Sequence, residues 1–284
     1  LNSKSLISGG TYTTNRIKSL DSGGFTIGTD ATVNSDTLTY YWVAFKAAAG
    51  ELKVGSYSGA ATAQEITGVG FSPAYVWVMK RASASANHAT SSLSGTSMSF
   101  GTSDYQDGIT AMLADGFSVG TNSRVSGSGT TLDYIAWKAV SGGLAVSSYT
   151  GNATDTRSIT GVGFKPEWVI IQKVNIAARH KPASTGASTD GAQVFDATAN
   201  ETNSIQALES DGFQLGDGAG VNASGTYYYI AFNQVYNWES YESDRTTVRD
   251  TFNSSFTTVY PTGTGFPTTT YNVAYYDGTA SGGG

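Results

Sequence analysis

The chain has no cysteine among its 284 residues. That excludes disulfides, cysteine-ligated zinc and thiol nucleophiles, and leaves the redox compartment open. Histidine is almost as scarce, with only His88 and His180. A three-histidine metal site within one chain is therefore excluded, and a site using both histidines requires them to meet across the fold. Charge is thin as well: 13% of residues are charged, against about a quarter in an ordinary globular domain. The 16 Lys and Arg are outnumbered by 22 Asp and Glu, giving a net charge of −6. No basic cluster is present to neutralise a run of phosphates, which argues against nucleic acid as a partner. No apolar run approaches the roughly 18–20 residues needed to cross a bilayer, and no basic segment followed by an apolar one opens the chain. A soluble chain with no membrane span, processed or excerpted, is the expectation.

Glycine and aromatic residues are abundant. There are 35 glycines, with 5 Trp, 17 Tyr and 12 Phe inside a hydrophobic fraction of 39%, enough apolar material to order a core. Much of it recurs at a fixed period. GSYSGA at 55–60 is answered by SSYTGN at 147–152, and TGVGFSP at 67–73 by TGVGFKP at 160–166. GGFTIG at 23–28, DGFSVG at 115–120 and DGFQLG at 211–216 form a threefold series, their shared glycines 92 and 96 residues apart. Each is preceded by an I-x-x-L/M pair (Ile17 and Leu20, Ile109 and Met112, Ile205 and Leu208) and followed by an aromatic closing string: YWVAFK, YIAWK or YIAF. Four segments result: the second half of a module at 1–46, complete modules at 47–139 and 140–233, and a divergent tail at 234–284. In the tail, TGTGFP at 262–267 echoes the TGVGF string and YNVAYYDG at 271–278 echoes LKVGSYSG, so it resembles a first half-module. Together the two ends span one repeat length.

Strand signals dominate. YVWVM, WVIIQKV and YYWVAF are β-branched and aromatic runs bounded by Gly, Ser, Asn and Asp, as in short strands between tight turns. The expected fold is all-β: tandem antiparallel β-sandwich modules, jelly-roll or Ig-like, of about 93 residues. The best helical pattern, at 202–212, has apolar residues at Ile205 and Leu208 before a glycine stop, enough for one or two turns. Glycine accepts positive φ without steric cost. Gly70, Gly163, Gly24, Gly116 and Gly212 are accordingly expected to turn the chain sharply, with Phe71, Phe164, Phe25, Phe117 and Phe213 beside them pointing into the core.

Catalytic chemistry finds little support. Neither histidine has a neighbouring nucleophile or orienting acid in any motif; both are expected as polar loop-tip or interface residues, replaceable by glutamine without loss of folding. Glu51, Glu65, Glu167, Glu201, Glu209, Glu239 and Glu242 show no paired spacing suited to glycoside hydrolysis, so no catalytic residues and no enzymatic activity are expected. Calcium is the one cofactor left open, because Asp30, Asp104, Asp107, Asp115, Asp190, Asp211 and Asp217 lie in oxygen-rich turns. No DxDxDG spacing supports it, and Asp115 and Asp211 are expected instead to bond turn amides. Asn152, Asn200, Asn222 and Asn253 head N-x-[ST] strings, acceptors only in a host that glycosylates.

The combined pattern, Y-[ST]-G-x, T-G-V-G-F-x-P, D-G-F-x-[VL]-G, V-N and a Y-x-A-F/W strand, resembles uncharacterised tandem β-sandwich repeat modules of phage tail-fibre-like and secreted bacterial surface proteins. The resemblance covers most of 1–233 and brings no catalytic residues with it. It implies an extracellular or virion-surface location and a non-enzymatic structural subunit of a fibre, filament or virion appendage. Copies of the chain itself are then the partners. Self-assembly is expected head to tail by strand complementation: modules lying end to end separate the termini, and the tail, through Phe266, Tyr271, Val273 and Tyr275, enters the half-module of a neighbour. The alternative is a carbohydrate-binding adhesion module that engages cell-surface glycans. Trp77, Trp137 and Trp168 lie inside strand runs and read as core, which leaves Trp238 as the ring expected on the solvent side.

Overall fold

The computed structural model describes residues 4–5, 13–38, 40, 42–81, 86–93, 95–101, 104–185, 190–195, 200–233, 236–241 and 248–254. The chain is all-β, in tandem sandwiches. In the first complete module, six strands run in the spatial order Asp104–Gln106, Thr96–Ser99, Asn87–Thr90, Tyr75–Lys80, Thr131–Trp137, Leu52–Ser58. Three more, Ile109–Leu113, Gly116–Val119 and Gln64–Thr67, form the facing sheet. The second complete module repeats this: Leu144–Gly151, Gly225–Phe232, Trp168–Gln172, Arg179–Pro182, Gly191–Val194 and Glu201–Thr202 face Arg157–Thr160, Gly212–Leu215 and Ile205–Glu209. All of these pairings are antiparallel.

Period-2 alternation explains the packing. Along Tyr75–Lys80, Val76 and Val78 enter the module's own core with Phe117 and Ile66. Tyr75, Trp77 and Met79, on the other face, join a separate cluster with Trp168, Ile170, Ile230 and Phe232 of the second module. The six-stranded sheets are thus apolar on both faces and pack against each other, giving four layers in the order three, six, six and three strands. The tandem copies lie face to face. The end-to-end arrangement expected from the repeat is corrected, because the outer faces of both large sheets are too apolar to be left in water.

The helical reading of 202–212 is also corrected. Ile205–Glu209 is a strand with a bulge between Ile205 and Ala207, and the same irregularity falls between Ile109 and Ala111 and between Ile17 and Ser19. A bulge inserts one residue, so side chains three apart, Ile205 and Leu208 or Ile109 and Met112, reach the same core. The i, i+3 spacing that resembles a helix is the signature of that bulge. Among the described residues α-helix is confined to single turns at Ala31–Asn34, Ser123–Ser126 and Ala219–Asn222. A tyrosine holds each of the last two: Tyr57 and Tyr149 donate from their hydroxyls to the carbonyls of Val125 and Val221, both at 2.6 Å.

Candidate functional site

Among the described residues of 13–46 the hairpin and the helical turn repeat the local geometry of the complete modules, whereas the closing string at 42–45, expected as a strand, is not one and lacks the ladder that Thr131–Trp137 and Gly225–Phe232 make with their neighbours. The hairpin Ile17–Asp21 and Gly24–Ile27 leads into a helical turn whose first amides are capped by Asp30, accepting from Thr32 N at 2.9 Å. Tyr40 donates to Ala31 O at 2.8 Å and accepts from Ser35 N, and Tyr227 does the same with Ala219 O and Ala223 N. The hairpin phenylalanine meets the closing-string aromatic edge to face in every copy. The centroid separations are 5.2 Å for Phe25 and Trp42, 5.3 Å for Phe117 and Tyr134, and 5.2 Å for Phe213 and Tyr229.

The half-module's core is open. In the complete modules Phe117 and Phe213 are fully buried, whereas Leu20 is 85% exposed, Trp42 69% and Leu38 62%, with Ile17 and Ile27 also exposed. Phe25 is half-buried, which corrects its assignment as a core anchor. The reason lies at the edge of the hairpin. Gly116–Val119 pairs on its other side with Gln64–Thr67, and Gly212–Leu215 with Arg157–Thr160; among the described residues Gly24–Ile27 pairs only with Ile17–Asp21. Gly116 and Gly212 both sit at φ +145°, where an added Cβ would overlap the carbonyl oxygen of Ile66 or Ile159 on that third strand. Gly24 has no positive φ, a correction to the expectation, and nothing lies within 4 Å of a Cβ built on it. The glycine is present, and the strand that makes it necessary is absent among the described residues.

The complete modules clamp that strand's turn. Asp115 accepts from Gly68 N at 3.1 Å and Gly70 N at 2.5 Å; Asp211 accepts from Gly161 N at 3.0 Å and Gly163 N at 2.6 Å. These two amide bonds hold the Asp211 carboxyl below the usual carboxylate range. Gly70 and Gly163 take positive φ, and Phe71 and Phe164 are buried beside them. In the half-module the clamp position is Gly23. Replacing Asp211 by alanine is expected to lower the melting temperature at neutral pH. The carboxyl's folded pKa is depressed, so its contribution is present above the unfolded value and disappears as pH falls through the folded one. Melts of parent and variant should therefore converge in acid.

Aromatic rings join the copies. Phe45, Trp137 and Phe232 occupy the same place in the three closing strings and meet: Phe45 lies 5.4 Å from Trp137 and 5.1 Å from Phe232, and Trp137 lies 6.0 Å from Phe232. Phe100 and Phe195, also equivalent, meet tilted at 4.5 Å, with His88 stacked on Phe100 at 4.2 Å and His180 tilted against Phe195 at 4.3 Å. His88 is fully buried and bonds Gln172 of the other module through Nε2 at 2.8 Å. Gln172 Nε2 is spent on the carbonyls of Ser99 and Ile176, so its Oε1 accepts from His88 Nε2–H and the Tyr75 hydroxyl donates to His88 Nδ1. His180 Nδ1 accepts from the Trp168 indole at 3.1 Å. Both histidines lie on strands, so loop tip is corrected to interface.

Several other polar side chains bond turn groups. Asp107 accepts from Thr121 N at 2.7 Å, and Asp217 accepts from the Asn203 amide. Among the described residues no group of three or more His, Cys, Asp or Glu is placed to share a metal ion. Asn222 is buried, its side chain bonded to Asn152 N, Thr154 O and Gly216 O, which leaves no face for a glycan in the folded state. A shallow depression of about 410 Å³ is lined by Arg179, Glu201, Thr202 and Gly220. Its Arg179 guanidinium is already paired with Glu201, from Nε at 2.9 Å and from Nη2. Trp77 is partly buried and Trp137 and Trp168 are buried at the module interface. Trp238 lies in Tyr236–Tyr241, paired with Val248–Ser254 across from Phe252; its exposure falls outside the described side chains, and Phe266, Tyr271, Val273 and Tyr275 fall outside the described residues. No helix among the described residues is long and apolar enough to cross a membrane.

Fold and site together define a protein of tandem all-β modules, two of them closed and one half open. The chain belongs to the family described as Domain of unknown function (DUF7483), which matches residues 48–148 and 144–282. No match is found among curated proteins or among solved structures.

Proposed function

We propose that the protein is a non-enzymatic structural subunit of an extracellular fibre or virion appendage, located outside the cell or on the virion surface and assembling with copies of itself. The observation that carries this reading is the pairing of a rigid block with an open one. Two sandwiches spend their outer faces on each other, while Leu20, Leu38 and Trp42 of the half-module stand exposed beside a strand, Gly24–Ile27, whose second edge has no partner among the described residues. Such an edge is a building site for added strands. Electron microscopy and light scattering of the purified chain are expected to show fibres or higher oligomers; a monomer at every concentration would remove the reading. Trp42, at 69% exposure, supports the glycan-binding alternative. Binding on a glycan array that is lost with Trp42→Ala would establish that alternative in its place.

A further inference from the structure

We infer that the second edge of Gly24–Ile27 is a self-complementary dimer contact: the strand pairs antiparallel with the same strand of a second copy, about a twofold axis through Thr26, and joins two hairpins into one four-stranded sheet. The inference rests on the reading of the chain as one that assembles with its own copies, and names the contact. The complete modules define what the edge accepts. There the equivalent strands take an antiparallel neighbour that sets Ile66 opposite Phe117 and Ile159 opposite Phe213. The Gly-Phe-Thr-Ile string supplies that complement itself: with Thr26 facing its own copy, Ile27 of each chain stands opposite Phe25 of the other.

The match extends across all four strands. Leu20 pairs with Phe25 and Ile17 with Ile27, so two rows run Leu20, Phe25, Ile27, Ile17 from one copy into the other, apolar at every place. On the opposite face Ser19 pairs with Thr26, and the row through the axis reads Ser19, Thr26, Thr26, Ser19. Apolar and hydroxyl rows thus fall on separate faces of the pleat. A slip of one residue would set Phe25 against Thr26 and turn the two apolar faces to opposite sides. A slip of two would leave Ile27 opposite Gly23 or Phe25 opposite Thr29. The edge also lacks the usual protection, since residues 24–27 include no charge and no proline. A lone two-stranded hairpin is marginal in water, whereas three or more strands sharing an apolar face are stable. Leu20, Ile17 and Ile27, exposed in the single chain, are the face that the second copy extends. In the complete modules the far edge of Gln64–Thr67 is open among the described residues, so a sheet in this position has room for a fourth strand.

Because the protein has no cysteine, one introduced thiol tests the axis. Directly opposed residues of an antiparallel pair lie within a disulfide's reach, and only a twofold contact brings residue 26 against its own copy. Under mild oxidation of the full chain, Thr26→Cys is expected to give a disulfide-linked dimer about tenfold faster than Lys18→Cys, an exposed position on the hairpin's far strand. Equal rates, or no dimer from Thr26→Cys, would overturn the proposal. Charge tests the same register by sedimentation velocity. Thr26→Lys and Thr26→Glu, each alone, are expected to raise the dimer dissociation constant about fivefold, because like charges then face each other across the axis, and the equimolar mixture to return it to the parent's range. A mixture no tighter than either variant would refute the pairing, and recovery in the mixture shows that both variants fold. Fibres that give no Thr26→Cys disulfide would sink the inference alone. A twofold contact closes on itself, so growth into a fibre uses a second contact, and disulfide-competent dimers with nothing larger would sink the fibre reading alone.

Discussion

Valine at Gly212 is expected to cost about 3–5 kcal/mol, the sum of a β-branched residue forced to positive φ and a rung of the ladder pushed apart. The backbone there sits at φ +145°, and a Cβ would overlap the Ile159 carbonyl, so relief requires the Arg157–Thr160 strand to leave its partner. Gly163→Val should cost only the backbone part, about 1–3 kcal/mol, because φ is +88° with nothing within 4 Å of the added atom. Gly24→Val, in a chain ending at Ser254, should stay within about 0.5 kcal/mol of the parent, having neither a positive φ nor a neighbour. Thermal or denaturant melts of the three variants order these effects. Equal losses at Gly212 and Gly24 would mean that the third strand is not what the glycine accommodates.

The module was readable from sequence because each of its parts has a local cause. A turn needs its glycines, a strand shows apolar alternation, and Asp211 two residues before Phe213 recurs at Asp115 and Phe117 because the same amides must be held. What sequence left hidden is either non-local or a departure from ideal period. The bulge at Ile205 and Ala207 gives a strand the spacing of a helix. The contact between modules could not be read from Trp77, Trp137 and Trp168: a ring in a strand run reads as core, and nothing in the string says whose core. Tyr75 and Trp77 are in fact the opposite face of the strand from Val76 and Val78. A continuous apolar run in a strand, as at Trp168–Gln172, signals burial on both faces, and that was the available clue to the four layers. The one-turn helices carried only Val33-Asn34, Val125-Ser126 and Val221-Asn222 as a signature, too short for any periodicity.

Acidification below about pH 6.5 is expected to destabilise the joined modules before the carboxylates protonate, because the histidines expected from the sequence to be dispensable lie in the interface. Burial pushes His88 down to about 3, with its bond to Gln172 opposing the shift, and burial pushes His180 down to about 4. An unfolded histidine titrates near 6.5. Above that value both states are neutral and stability does not depend on these groups. As pH falls from about 6.5 to about 4, the unfolded chain takes up protons that the folded chain refuses, and stability drops by up to about 1.4 kcal/mol per pH unit for each histidine. The fold tolerates only the neutral ring: His88 lies flat against Phe100 in a cluster of Tyr75, Trp137, Ile170 and Phe232. Replacing both histidines by glutamine should therefore act in two ways. At pH 7 it removes the ring stacking and disturbs the bond to Gln172, at a cost of about 1–3 kcal/mol. Between pH 6.5 and 4 it flattens the slope, since glutamine does not titrate. Denaturant melts at half-unit pH steps check both. A parent whose stability is level across that interval would show that the two rings are hydrated and the interface looser than its stacked geometry implies.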